Sequence, residues 1–150
     1  MNTIANKDNR YFFIRLLLPA TIVLFSGCAS VPEIKPAVQR ESPVIAYALS
    51  LQGIPYRYGK DSPEEGFDCS GFVKHVYQKQ GITLPRTVKD MALSLPPIPK
   101  KDVHSGDLVF FNTNGKSFSH VGIYVNNDKF VHAPSQRTGR VLVSSLKNQY

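Results

Sequence analysis

The chain has 150 residues, of which 42% are hydrophobic, and this suits one domain of ordinary size with one apolar core. Its formal net charge is +7; the first 27 residues hold three basic and one acidic side chain, so the remainder carries 15 basic and 10 acidic residues. The basic excess is scattered, without the clustered stripe typical of nucleic-acid binding, and we therefore expect no nucleic-acid partner. An anionic polymer or an acidic membrane surface would still attract this charge.

Residues 1–27 have the features of a signal peptide. Three basic residues precede the ten-residue apolar run 16–25. A helix needs about 20 residues to span a bilayer, so this run has the length of a signal-peptide core instead. The segment FSGC that ends at Cys28 resembles the lipobox of bacterial lipoproteins, which implies cleavage before Cys28 and lipidation of its thiol. A plain secretory signal or an uncleaved anchor is the alternative.

Lipidation of Cys28 has consequences for the rest of the chain. It implies a membrane partner through the lipid anchor. Because Ala29 stands where an Asp would signal inner-membrane retention, it also implies an outer-membrane address facing the periplasm in a Gram-negative cell. Residues 28–42, with two prolines, are then a tether. Cys28 could no longer pair with Cys69, so Cys69 would be an unpaired thiol in an oxidising compartment.

Helical signals occupy the first half of the remaining domain, residues 43–150. One helix is predicted over 43–52, with Ser42 as a possible N-cap. A second should run from about 69 to 80, because apolar residues recur along it with helical spacing. A short third helix is expected after Arg86.

The second half of the domain has the alternating pattern of β-strands. A turn at 126–128 predicts a hairpin between the second and third of them. Helices followed by strands predict an α+β fold, with the N-terminal helices packed on one face of an antiparallel sheet. The predicted strands cover 107–112, 119–125, 129–133 and 141–144.

Cys69 begins the second predicted helix. A cysteine in a first helical turn lies near the positive end of the helix dipole and near free backbone amides, which favour the thiolate. The same amides could receive the oxyanion of a tetrahedral intermediate. A nucleophilic cysteine also needs a base, and the base needs an orienting partner.

Two of the four histidines could supply that pair. His75 and His104 are expected to be exposed. His120 alternates with apolar residues that should pack in the core, so its side chain should project from the other face of the strand. A three-residue loop at 126–128, or a bulge, would bring His120 and His132 onto one face as diagonal neighbours, about 7–8 Å apart; a two-residue loop alone would separate them. His120 could then take the thiol proton and His132 could fix its tautomer.

Several motifs in order extend this pattern over nearly the whole domain. Together they resemble the NlpC-type family of cell-wall cysteine peptidases. The resemblance implies a papain-like α+β fold and a catalytic triad of Cys69, His120 and His132. It also implies hydrolysis of amide bonds in peptidoglycan peptides, next to diaminopimelate or D-amino acids, by a monomer without a cofactor. The motifs are IPYRYGKDSPEEGFDCSGFV at 54–73, LPRT at 84–87, GDLVFF at 106–111 and SHVGIY at 119–124.

The resemblance also assigns supporting residues. Tyr56 matches a tyrosine whose hydroxyl lies near the thiol, and Asp68 and Ser70 match positions that help to line the substrate groove. Arg86 matches a position that is structural as often as functional. The sequence departs from the family pattern at Lys60, where a glycine is usual, and its loop before Cys69 is one residue longer. Relatives usually continue for another strand, so the closing C-terminal strand is expected to be missing.

Three other functions fit parts of this pattern. A wall-binding lipoprotein could keep the fold without catalysis. Cys69, His120 and His132 could instead hold zinc, although a cysteine at a helix start suits a nucleophile better. An amidase or acyltransferase could use the same Cys-His chemistry on another substrate.

Overall fold

The computed structural model describes residues 42–113 and 115–147. The predicted signal peptide, the lipidation site Cys28 and all of the tether before Ser42 lie outside these residues. Within the described ranges, no helix is both long and apolar enough to cross a membrane.

Three α-helices form as the sequence predicts. The first two end two residues earlier than predicted, and the third is short. Helix α1 spans Pro43–Ser50, helix α2 spans Cys69–Gln78 and helix α3 spans Val88–Ser94. Ser42 occupies the N-cap position of α1 but makes no side-chain hydrogen bond there, so Pro43 at the first helical position is the effective start signal.

The strands of the second half form one antiparallel sheet in chain order, and this confirms the predicted α+β fold. The loop before Cys69 contains a two-stranded ribbon of β1 (Asp61–Ser62) and β2 (Gly66–Phe67). Its strands are two residues long, too short to give a periodic signal. The strands are β1 Asp61–Ser62, β2 Gly66–Phe67, β3 Leu108–Thr113, β4 Lys116–Asn126, β5 Lys129–His132 and β6 Leu142–Ser145.

The hairpin between β4 and β5 contains a bulge, which determines the faces on which His120 and His132 lie. Its turn has two residues, Asn127 and Asp128, both with positive φ (47° and 59°), so the three-residue loop is wrong. The pairing shifts between Tyr124 and Asn126, and beyond that shift Tyr124 pairs with Phe130. The extra residue restores the parity that places His120 and His132 on one face.

The core lies between the helices and one face of the sheet. Phe72, Val73 and Val76 of α2 are fully buried, as are Val121 and Ile123 of β4. This packing fixes the start of α2 against the middle of β4, which are the elements that carry Cys69 and His120.

Candidate active site

Cys69 is the first residue of α2 and, among the described residues, a free cysteine of intermediate exposure. The backbone N–H groups of Ser70 and Val121 lie close enough to its sulfur to lower the pKa of the thiol. Val121 directly follows His120 in β4. The strand that carries His120 therefore reaches the thiol through its own backbone.

The electrostatics of the Cys69 thiol differ from the prediction. Burial raises its pKa above the ordinary value, and the negative charge of Asp68 raises it further. The backbone N–H groups of Ser70, Val121 and Cys69 itself lower it, as a helix start should, but they do not outweigh burial. The amides at the helix start thus favour the thiolate as expected, but desolvation at this position is the larger effect, so the net shift of the pKa is upward.

His120 and His132 meet on one face of the sheet. The Nε2 atom of His120 lies 2.7 Å from Nδ1 of His132, and Nε2 of His132 lies 2.9 Å from Oγ of Ser144. Only 6% of His120 and none of His132 is exposed. With Nε2 engaged, Nδ1 is the ring nitrogen of His120 that remains for an exchangeable proton.

Aromatic rings enclose the two imidazoles. Phe111 lies beside His120, with ring centroids 5.8 Å apart, and Phe130 lies beside His132 at 4.4 Å. Gly122, between the pair in β4, is required by this packing: a Cβ there would lie 2.6 Å from the Phe130 ring. These aromatic contacts contribute to the burial of both imidazoles.

Burial among these rings makes both histidines weak bases. It lowers the pKa of His120 to about 4. The pKa of His132 falls to about 3, through burial and then the charge of His120. Both imidazoles are therefore neutral at physiological pH, and a neutral imidazole can accept a proton.

Tyr56 is close enough to Cys69 and Asp68 to respond to their charges. Burial raises the pKa of its hydroxyl, and the charges of Cys69 and Asp68 raise it further. The hydroxyl is thus near both groups and stays protonated, as a hydrogen-bond donor should.

Asp68 is the centre of a polar network that holds the start of α2. It is the N-cap of the helix and accepts from the N–H of Gly71 at 2.7 Å. Its other oxygen accepts from the N–H of Gly59 at 2.8 Å, which ties down the preceding loop. Arg86 binds both carboxylate oxygens, at 2.9 and 2.7 Å.

Ser70 belongs to the same network. Its hydroxyl donates to Asp68 at 3.3 Å and accepts from Arg86 at 2.9 Å. Asp68 and Ser70 are 7% and 5% exposed, so their polar atoms are directed into the protein. This favours the supporting part of their predicted role. Arg86, whose role the sequence left undecided, is the residue that links them.

The other two histidines differ in their surroundings. His104 is exposed, as predicted. His75 is not: it is half-buried, its Nε2 lies 2.9 Å from the hydroxyl of Tyr47, and its ring packs against Phe67. The prediction for His75 is wrong because a helical wheel does not include α1 and β2, which cover this side of α2.

Two further features of the described ranges bear on the site. No group of three or more His, Cys, Asp or Glu side chains among residues 42–113 and 115–147 could hold a metal ion. A groove of about 550 Å³ lies elsewhere, between the proline-rich segment 95–98 and the sheet, and its lining includes Phe111 but neither Cys69 nor a histidine. That groove is therefore separate from Cys69 and from the two buried histidines.

The α+β fold therefore carries a thiol at a helix start and a buried pair of histidines on its sheet. Residues 53–150 match the model of the NlpC/P60 family, and the chain belongs to this family.

Its relatives include named cell-wall enzymes. The murein DD-endopeptidase MepH of Escherichia coli (strain K12) is 42% identical over 122 residues, which cover 77% of this chain and 44% of that protein. The probable endopeptidase NlpC of the same strain is 36% identical over 142 residues, which cover 89% of this chain and 90% of that protein. The chain spans less than half the length of MepH and of the bifunctional muramidase/DL-endopeptidase CwlT of Bacillus subtilis (strain 168).

A solved structure confirms the fold. The crystal structure of an NlpC/P60 family protein from Bacillus cereus ATCC 10987 superposes with a TM-score of 0.66 at 30% identity. The match covers 71% of this chain and 35% of that one.

Proposed function

We propose that this chain is a peptidoglycan endopeptidase that cleaves amide bonds in stem peptides or cross-links through Cys69, His120 and His132. The observation that carries the proposal is the buried hydrogen bond between His120 and His132. His120 precedes Val121, whose backbone N–H lowers the pKa of the Cys69 thiol. The names of the relatives, among them murein DD-endopeptidases and a DL-endopeptidase, support the substrate class.

The first half of the reaction forms an acyl-enzyme. The neutral Nδ1 of His120 takes the proton of the Cys69 thiol as the sulfur attacks the amide carbonyl. The oxyanion lies near the backbone amide of Cys69 or of its neighbour in the first helical turn. His120 then gives its proton to the leaving amine, and the C–N bond breaks.

The second half releases the product. A water molecule gives a proton to His120 and attacks the thioester carbonyl. The C–S bond breaks, the acid product leaves, and the Cys69 sulfur recovers the proton. Tyr56 can donate a hydrogen bond beside the reacting atoms, while Asp68, Ser70 and Arg86 hold the helix start in place.

The cellular setting is part of the proposal. Cleavage before Cys28 and lipidation of its thiol would tether the catalytic domain to the envelope by residues 28–42, from the outer membrane in a Gram-negative cell. We propose a monomer that acts on peptidoglycan peptides without a cofactor.

The test is digestion of purified peptidoglycan fragments by the full chain in detergent, with products identified by mass spectrometry. We expect new peptide termini next to diaminopimelate or a D-amino acid, and none with Cys69→Ala. Binding without cleavage by a folded wild-type chain would favour a wall-binding protein, and cleavage outside the peptide would favour an amidase.

A further inference from the structure

The hydrogen-bonded chain does not end at His132. Ser144 lies on the edge strand β6, where it pairs with Phe130, and His132 pairs with Leu142 two residues away. This diagonal register puts Ser144 on the same face of the sheet as His132. Its Oγ lies 2.9 Å from Nε2 of His132.

The ring nitrogen that carries the proton in each imidazole determines whether His120 can accept the thiol proton. For Nδ1 of His120 to accept the thiol proton, the resting proton must be on Nε2, which then donates to Nδ1 of His132. His132 must then carry its own proton on Nε2 and donate it to Oγ of Ser144. In this arrangement both histidines are Nε2–H tautomers.

The reverse arrangement is inactive. If the Ser144 hydroxyl donates to Nε2 of His132, the proton of His132 moves to Nδ1 and is donated to His120. His120 then carries its proton on Nδ1, so this nitrogen cannot accept the thiol proton. Within this hydrogen-bonded chain, the direction of the Ser144 hydroxyl is therefore linked to the tautomers of both histidines.

We propose that Ser144 is a positioning residue that accepts from His132 and holds both histidines in the reactive Nε2–H tautomer. The proposal rests on the proposed function of Cys69 and His120. When His120 becomes an imidazolium during the reaction, the same chain of donors, from His120 to His132 to Ser144, orients its remaining N–H.

Ser144→Ala removes the acceptor, and loss of one such hydrogen bond should lower kcat about tenfold with little change in KM. Ser144→Thr, which keeps a hydroxyl, should recover most of the rate. Ser145→Ala is the matched control: Ser145 is next in the strand and bonds to the backbone of Lys147 instead. If Ser144→Ala fails to fold, Ser144→Thr and Ser144→Val provide an isosteric pair that differs only in the hydroxyl.

Nitrogen-15 NMR of the histidine rings in the full chain at neutral pH reads the tautomers without any activity. We expect His120 and His132 both as Nε2–H in the wild type, and a mixture with Nδ1–H in Ser144→Ala or Ser144→Val. An Nδ1–H wild type, or unchanged tautomers with unchanged kcat in these variants, would overturn the proposal. Full hydrolysis by Cys69→Ala would overturn the proposed function instead and leave the tautomer result standing.

Discussion

The two sides of the site differ in polarity. On the Cys69 side, a charged network of Asp68, Ser70 and Arg86 fixes the helix start, and every described bond in it is polar. On the histidine side, two neutral imidazoles are buried among aromatic rings. The contrast teaches that geometry and basicity are set separately: the polar side positions the Cys69 thiol, and the apolar side determines the protonation state of the two imidazoles.

The largest effect should come from removing the base itself. His120→Ala leaves the charged network intact but removes the proton acceptor, and we expect kcat to fall by about two to four orders of magnitude. Steady-state hydrolysis of a peptidoglycan peptide measures this. His104→Ala, at an exposed histidine, should leave kcat unchanged, and an active His120→Ala would assign the base to another group.

Breaking the polar side should act through stability. Arg86→Ala leaves the nearly buried Asp68 carboxylate without its bidentate partner, and because the Arg86 side chain is 35% exposed we expect a loss of about 1–3 kcal/mol in the free energy of unfolding. Denaturant unfolding measures it. The matched control is Lys60→Ala, which removes an exposed ion pair with Glu65 and should cost less than about 0.5 kcal/mol. Equal losses in the two variants would show that the network of Asp68, Ser70 and Arg86 stabilises the fold no more than an exposed ion pair does.

The apolar side should give a smaller effect, in the pH dependence of stability. The pKa of His120 is lowered to about 4 in the folded chain, whereas an unfolded histidine titrates near 6.5. The unfolded state therefore binds protons first as the pH falls, and stability present above pH 6.5 is lost progressively towards pH 4. Thermal unfolding from pH 7 to pH 4 should show this loss.

The control for that titration is His132→Asn, since asparagine can still accept from His120 but does not titrate. The two buried histidines contribute in the same direction, so the variant should lose less stability than the wild type over this range. An identical pH dependence in both chains would mean that carboxylates, and not these histidines, cause the acid loss.

The sequence predicts much of this arrangement because its signals are local. Helical spacing places Cys69 at the start of α2, and alternation in β4 separates His120 from the core residues beside it. The fold class follows from the order of the elements. Family resemblance, in turn, points to Tyr56, Asp68 and Ser70.

The remainder depends on contacts between distant segments. The bulge after Tyr124 depends on how β4 meets β5, and the sequence offers it only as one of two ways to bring the histidines together. Desolvation of Cys69 depends on tertiary packing, so the helix start alone does not give the net direction of its pKa shift. Ser144 is a common residue on an edge strand, and only the register against β5 brings it to His132.

The most direct test of the central claim is to modify the one thiol in question. In a Cys28→Ser chain, Cys69 is the remaining cysteine, and iodoacetamide can be titrated against it while peptide mapping gives the alkylated fraction. Catalysis by Cys69 predicts that hydrolysis of peptidoglycan peptides falls in proportion to that fraction and reaches zero at complete alkylation. Hydrolysis that persists with Cys69 fully alkylated would contradict it.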